Sequence, residues 1–473
     1  MLLISKLLPA LVITRREVRD QFRDWRIIFP IVGLTMFFPF LMNFTAQQIL
    51  GFVRQYGASI LGDRLVPFLL MIVGFFPISV SLVIALESFV GEKERGSIEP
   101  LLNTPLTDWQ LYLGKLLAAT VPPLISSYIG MTVYLIGLKV SGLIIPDFDL
   151  LILIVVLTSV QAIMMVSGAV VVSTQATSVR AANLLASFII IPVALLIQME
   201  SIVMFWGNYT TLWWVVLGLL VITFLFIRIG LAHFQREELL GREIDILNIR
   251  LGWRIFRKEF TDGAISLRDW FFRCLPGSLI RLKKELIITT ILGLIGFVIG
   301  ILLNSQYPLS ITSIDPNGSG TGFQKIINMW GDFSFTPVFA IFWQNFRVML
   351  LAFVLGILTI GVLGPIPLMA SLGVAGYLCG LLLSNGFTVI SFLGIILPHG
   401  IFEIPAAIIS SAAVLHIGLI LATPNRIKTI GEVWLESIAV WTKILIGIVV
   451  PVLLLAACIE SWITPRIATL LFP

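Results

Sequence analysis

Two stretches of an otherwise apolar chain hold titratable side chains at spacings that could do chemistry. In the first, GEKERGSIEPLLNTPLTDWQLYLGK, the charges Glu92, Glu94, Arg95 and Glu99 surround Gly96 and Ser97. In the second, LPHGIFEIPAAIISSAAVLHIG, His399 and Glu403 stand four residues apart and share one helical face. A third run, FWQNFRV, places Asn345 and Arg347 at the head of an apolar segment. A charge at membrane depth costs several kcal/mol and is a functional hypothesis by default. Arg347 and Glu403 lie in spans that both run from outside to inside, so they are expected at similar shallow depth, paired or in one polar network with Asn345 and His399. The network reads either as a polar site opening to the outer leaflet or as a buried ion pair that fixes helix register. His416 reads as a satisfied interhelical histidine. An intramembrane enzyme would need a nucleophile, base or metal ligands to converge, and one His–Glu pair needs further ligands to hold zinc.

The first stretch carries its own helix punctuation. Gly96 breaks the preceding helix, and Ser97 can cap a new one whose first turn tolerates Pro100 and places Glu99 at the positive dipole end. Thr104-Pro105 ends it after about two turns, because the residue before proline disfavours the α conformation. Thr107 and Gln110 form a capping-box pattern that starts the next span. Ile98, Leu101 and Leu102 fall at i, i+3 and i+4 and share a face. That face either packs on neighbouring spans or the bilayer surface, or lies in the groove of a partner.

No residue set in the chain can handle ATP. A phosphate-binding loop needs GxxxxGK[ST], whereas Gly114-Lys115 is followed by Leu116 and lacks the upstream glycine. Cys274, Cys379 and Cys458 are isolated and read as small packing residues. No catalytic, cofactor-binding or metal site is expected.

The elements that position these residues are membrane spans. Of 473 residues 58% are hydrophobic and only 12% charged, with a mean hydropathy of +1.03, which excludes a water-soluble domain. Continuous apolar runs exclude a β-barrel, whose strands alternate in polarity. The expected class is all-α: a polytopic helical membrane protein with eleven spans in a six-plus-five arrangement. They are Ile27–Gln48, Val66–Phe89, Leu116–Leu138, Leu150–Val172, Ala182–Met204, Leu212–Ile229, Leu286–Leu303, Val338–Leu363, Pro367–Leu383, Phe387–Ala422 with a break at Pro398 and Gly400, and Ile438–Cys458. Most of the 31 Lys and Arg fall on one side if the N-terminus is cytoplasmic, which fixes that orientation. The net charge of +5 reflects anionic lipid, not nucleic acid.

Three regions follow: residues 1–232 with six spans, a basic joint over 233–284, and residues 285–473 with five spans. The joint interleaves Arg250, Arg254, Arg257, Lys258, Arg268 and Arg273 with Trp253, Phe256, Trp270, Phe271 and Phe272, the pattern of interfacial helices with rings among acyl chains. An external loop is expected from Asn304 to Phe335, where ITSIDPNGSGTG has no periodicity.

The run from Glu92 to Lys115 resembles the signature loop of the type-2 ABC transporter permeases, E-x-E-x-G-[TS]-x-E-x-LL-x-TP followed by GK. Glu92, Glu94, Gly96, Ser97, Glu99, Leu101, Leu102, Thr104, Pro105, Gly114 and Lys115 match it in order. TRREVRDQFRDWRIIFP resembles the amphipathic connecting helix that precedes that family's first span, so the resemblance covers about residues 1–235. One departure is the short loop Ser201–Leu212, with little room for a large external cap. The resemblance implies that residues 91–105, Arg95 and Ile98 included, form a coupling helix seated in a groove of a separate ATP-binding subunit, which supplies ATP and Mg. The second half resembles the stage II sporulation protein M family through Asn345, Arg347, Val348, Pro398, His399, Gly400, Glu403 and Pro405, over about residues 240–465. That family is associated with envelope remodelling.

The expected protein is a multi-pass permease subunit of the prokaryotic plasma membrane, exporter-type and not itself an enzyme. It would work as a homodimer or paired permease with the ATP-binding subunit, in contact with membrane lipid and with an envelope partner on the outer face. The alternatives are a non-transporting mechanotransmission or scaffold protein in envelope remodelling, and an intramembrane enzyme at His399 and Glu403.

Overall fold

The structure, a computed structural model, describes all residues except 1, 57–58, 98, 100–102, 144, 177, 208, 233, 235–248, 309–334, 424–427, 429 and 472–473. Every regular element among the described residues is a helix. The chain divides into two compact units, Met1–Leu247 with Ala422–Ile427, and Asn248–Leu421 with Lys428–Pro473. Among the described residues ten helices are long and apolar enough to cross a membrane. The expected span Ala182–Met204 lies inside a further helix, Val179–Phe205, of which Leu195–Phe205 is a shorter apolar piece.

In the first unit α1 (Leu2–Gln21) precedes α2 (Trp25–Tyr56), α3 (Ser59–Glu94), α4 (Asp108–Val140), α5 (Phe148–Gln175), α6 (Val179–Phe205) and α7 (Tyr209–Ala232). α3 is the hub, packed on α2, α4, α5 and α6. With no water in hydrocarbon, polar side chains there bond backbone. Ser127 donates to Gly74 O at 2.6 Å, and Asn43 donates to Pro39 O and Tyr134 O. α1 rests on α4 where Gly114 lacks a side chain: a Cβ there would meet Ala10 O at 2.9 Å. Thr14 Oγ1 donates to Gly114 O across the same contact.

In the second unit α8 (Ile249–Thr261) is followed by α9 (Leu267–Asp269), a π turn (Trp270–Cys274) and α10 (Leu275–Arg281). Then come α11 (Lys283–Gln306), α12 (Phe335–Leu358), α13 (Ile366–Ser384), α14 (Val389–Leu421), α15 (Ile430–Ile444), a second π turn (Leu445–Val449), α16 (Val450–Trp462) and α17 (Thr464–Leu471). The joint is anchored through Lys443 on α15. Its ammonium is fully buried, 3.3 Å from Asp262 and 3.1 Å from Ser278 Oγ. Asp262 has φ +49 in the turn after α8 and also faces Arg281 at 3.7 Å.

Three expectations change here. The tenth span is not broken: α14 runs unbroken through Pro398 and Pro405. Each proline removes one N–H, and contacts of α14 with α11, α12 and α16 hold the helix on both sides of the lesion. Not all aromatic rings of the joint face lipid. Trp253, Phe271 and Phe272 are exposed, but Trp270 is buried against Phe260 and donates to its carbonyl at 2.8 Å. The expected external loop starts later than Asn304, because Asn304 is still helical and buried on α11, and Phe335 already belongs to α12. Residues 309–334 between them lie outside the described residues.

α11 and α13 cross through small residues. Gly296, Gly300, Gly373 and Gly376 let backbone meet backbone, and a Cβ on Gly300 or Gly376 would overlap the carbonyls of Gly373 or Phe297. Gly300→Val is therefore expected to destabilise the second unit by about 1–3 kcal/mol, the usual cost of overpacking. Thermal unfolding in detergent measures it. Gly277→Ala, with nothing within 4 Å of the added Cβ, serves as the tolerated comparison.

Candidate functional site

The charged segment after α3 is held by residues on four helices. α3 ends in a Schellman arrangement: Ser97 N–H donates to Glu92 O, Gly96 N–H donates to Lys93 O, and Gly96 has φ +67. Only glycine adopts that conformation without strain, which explains Gly96. Ser97 Oγ lies 3.5 Å from Glu92 O, at the end of the old helix. At the far end Thr107 N–H donates to Gln110 Oε1 at 3.1 Å, the side-chain return of the expected capping box.

Lys93 and Glu94 address two different helix ends. Lys93 Nζ donates to Thr174 O at 3.1 Å and Ala176 O at 2.9 Å, at the C-terminus of α5. Glu94 Oε1 accepts from Val179 N–H at 2.7 Å, at the N-terminus of α6. A cation meets the negative dipole end and an anion the positive one. Neighbouring residues thus tie the last turn of α3 to the link between α5 and α6.

Beneath this lies Lys115, with 2% of its side chain exposed. Its ammonium is 2.6 Å from Glu92 Oε1, 2.8 Å from Ser88 O and 3.4 Å from Glu17 Oε1, and sits over the Phe89 ring. One lysine on α4 thereby joins α1 and the end of α3. A cleft of about 150 Å³ opens beside it, lined by Glu17, Asp20, Asp24, Glu87, Glu92 and Arg95. Arg95 reaches Glu87 at 3.8 Å and is exposed. Glu99 is exposed, and Asn103 N–H donates to its carbonyl, one helical turn. Thr104 and Pro105 precede α4. Ile98, Leu101 and Leu102, the expected apolar face, lie outside the described residues.

Two further polar clusters lie within the second unit. His416 Nδ1 on α14 lies 2.6 Å from Glu285 Oε1 on α11, both buried, so the histidine is satisfied between helices. His399 and Glu403 on α14 meet Glu460 on α16, with one ligand atom of each within 4.8 Å of the others and all three half-buried. Thr464 Oγ1 on α17 lies 3.2 Å from His399 Nδ1. The expected pairing of Arg347 with Glu403 does not form. Arg347 is exposed on α12 and donates to Gln344 one turn back on its own helix, and no ion pair joins it to Glu403 among the described residues. Similar depth does not supply similar direction, and Arg347 points away from the protein interior. Asn345, two residues earlier, is half-buried.

The comparisons with known proteins bear on each half. Residues 11–212 match the family model described as ABC-2 family transporter protein. Residues 287–465 match Stage II sporulation protein M. The chain is a fusion of an ABC-2 permease domain and a stage II sporulation protein M domain. No curated protein and no solved structure matches it. The ABC-2 domain and the ten apolar helices make it a multi-pass membrane protein.

Reading the sequence by residue type alone missed several polar groups of both domains. In the ABC-2 domain Glu200 on α6 is 1% exposed and hydrogen-bonded to Gln161 on α5. Its signal was a lone acid in LLIQMESIVMF. Glu17, Glu460 and Glu285 carry no such signal, since each sits at an interfacial or terminal helix position where acids are common.

Removing the Lys115 charge leaves Glu92 and Glu17 without the cation they share. Lys115→Met is expected to cost about 3 kcal/mol, the lower end for a broken buried pair, because both carboxylates keep some water. The Lys115→Met, Glu92→Gln double-mutant cycle is expected to show a coupling above about 1 kcal/mol, read by unfolding in detergent.

Proposed function

We propose that this chain is the membrane subunit of an ATP-driven, exporter-type transporter, coupled to a separate ATP-binding subunit. The ABC-2 domain gives it a transport role in general. Support for the coupling comes from the junction at Lys115, where one buried ammonium gathers Glu17, Ser88 and Glu92. A push on the segment after Glu92 reaches α1, α3 and α4 together through this charge. It also reaches α5 and α6 through Lys93 and Glu94.

In this reading the segment from Glu92 to Pro105 sits in a groove of the ATP-binding subunit, with Ile98, Leu101 and Leu102 as its apolar contacts. ATP and Mg bind that subunit, since this sequence has no phosphate-binding loop. Two chains and two ATP-binding subunits form the working assembly, and closure of the latter alternately opens the cleft between paired permease domains. The acidic cleft lined by Glu17, Asp20 and Glu87 would receive a basic side chain of the partner.

The match of residues 287–465 to stage II sporulation protein M favours a second reading, in which ATPase cycling drives envelope remodelling without transport. Reconstitution in liposomes separates the two: substrate-stimulated hydrolysis with measurable flux supports the exporter, and hydrolysis without flux supports mechanotransmission.

The coupling assignment is tested by co-purification with the ATP-binding subunit. Glu94→Ala together with Leu101→Asp is expected to reduce complex recovery at least about tenfold, because a charge enters the apolar contact. Undiminished recovery would remove the assignment.

A further inference from the structure

In hydrocarbon a carboxylate needs a counter-charge or donors, and most acids of this chain have them. Glu285 has His416, Glu92 has Lys115, and Asp262 has Lys443. Glu403 and Glu460 are different. They come from separate helices, approach each other and His399 within 4.8 Å, and neither takes a hydrogen bond or ion pair from a described residue. Two carboxylates brought together without a cation repel each other, so something positive belongs between them.

The chemistry of the third group says what. A proton shared between two acids would need no imidazole, yet His399 converges on the same point. The ring is also oriented from behind. Thr464 Oγ1 lies 3.2 Å from His399 Nδ1, and with Thr464 as acceptor Nδ1 carries the ring proton. That leaves Nε2 with a free lone pair, the tautomer that ligates metals, held by a hydrogen bond to the other nitrogen.

We propose that His399, Glu403 and Glu460 bind a divalent transition metal, zinc by preference. One imidazole and two carboxylates form a mixed nitrogen and oxygen set that suits zinc and its neighbours better than the all-oxygen cages of calcium or magnesium. Three protein ligands leave at least one position for water or an outside group. The spacing His399-x-x-x-Glu403 puts two ligands on one face of α14, and α16 supplies the third from 57 residues further on. The site stands independently of the transport reading, because it involves only the sporulation-protein-M domain.

The test uses the full chain in detergent, stripped with chelator and then dialysed against zinc or cobalt(II). Bound metal is measured by mass spectrometry and the cobalt absorption spectrum. About one zinc per chain is expected, with affinity falling at least about tenfold in His399→Ala, Glu403→Gln and Glu460→Gln. His416→Ala and Cys379→Ser are expected to retain the metal, which excludes the His416–Glu285 pair and the Cys379 thiol. Should the ligand variants not fold, X-ray absorption of zinc on the unmodified chain decides: nitrogen and oxygen neighbours support the site, and sulfur neighbours overturn it. A chain that binds no zinc at 100-fold excess also overturns it, as does full binding by the triple variant; the carboxylates would then share only a proton.

Discussion

A charge removed from water must meet a counter-charge or hydrogen-bond partners, and this constraint arranges both units. Lys115 could not sit at 2% exposure unless Glu17, Glu92 and the Ser88 carbonyl converged on it. Its demand brings α1 against α4 and fixes where α3 ends. Gly114 beside it permits the approach, because any side chain there would strike the α1 backbone. In the second unit Lys443 makes the same demand of Asp262 and Ser278, and so pins the amphipathic joint to a membrane helix.

The polar groups at the end of α3 show how one short segment can hold several helices. Lys93 and Glu94 are adjacent and opposite in charge, and each finds the helix end that suits its sign. The turn that follows depends on Gly96 in the left-handed region. A partner acting on this segment would therefore work against a packed, charge-paired frame, and packed frames shift between discrete arrangements instead of bending. His399, Glu403 and Glu460 present the opposite case: two acids and an imidazole gathered by two helices, with no cation from a described residue.

Much of the fold is legible in the sequence. Apolar run length located the spans, since a bilayer of about 30 Å admits few alternatives to a helix of that length. Gly96, Thr107 and Gln110 marked helix ends, because capping effects act within one turn. The continuity of α14 was not legible, because whether a proline ends a helix depends on the contacts that hold its two sides. Nor was the direction of Arg347, which a rotation of one helix about its axis decides.

The sequence by itself determined the class of the protein, the positions of its helices and the residues that punctuate its charged segment. Those properties follow from local rules: hydropathy over twenty residues, backbone preference over four. Only the tertiary structure decided which charges meet. Glu17 reaches Lys115 across 98 residues, Glu285 reaches His416 across 131, and Lys443 reaches Asp262 across 181. Such pairs leave no periodic trace, because an acid at a helix end has the same type and neighbours whether it faces solvent or a lysine on another helix. Helix packing sets the partner, through glycine contacts and rotations of a few tens of degrees that no short stretch of sequence encodes.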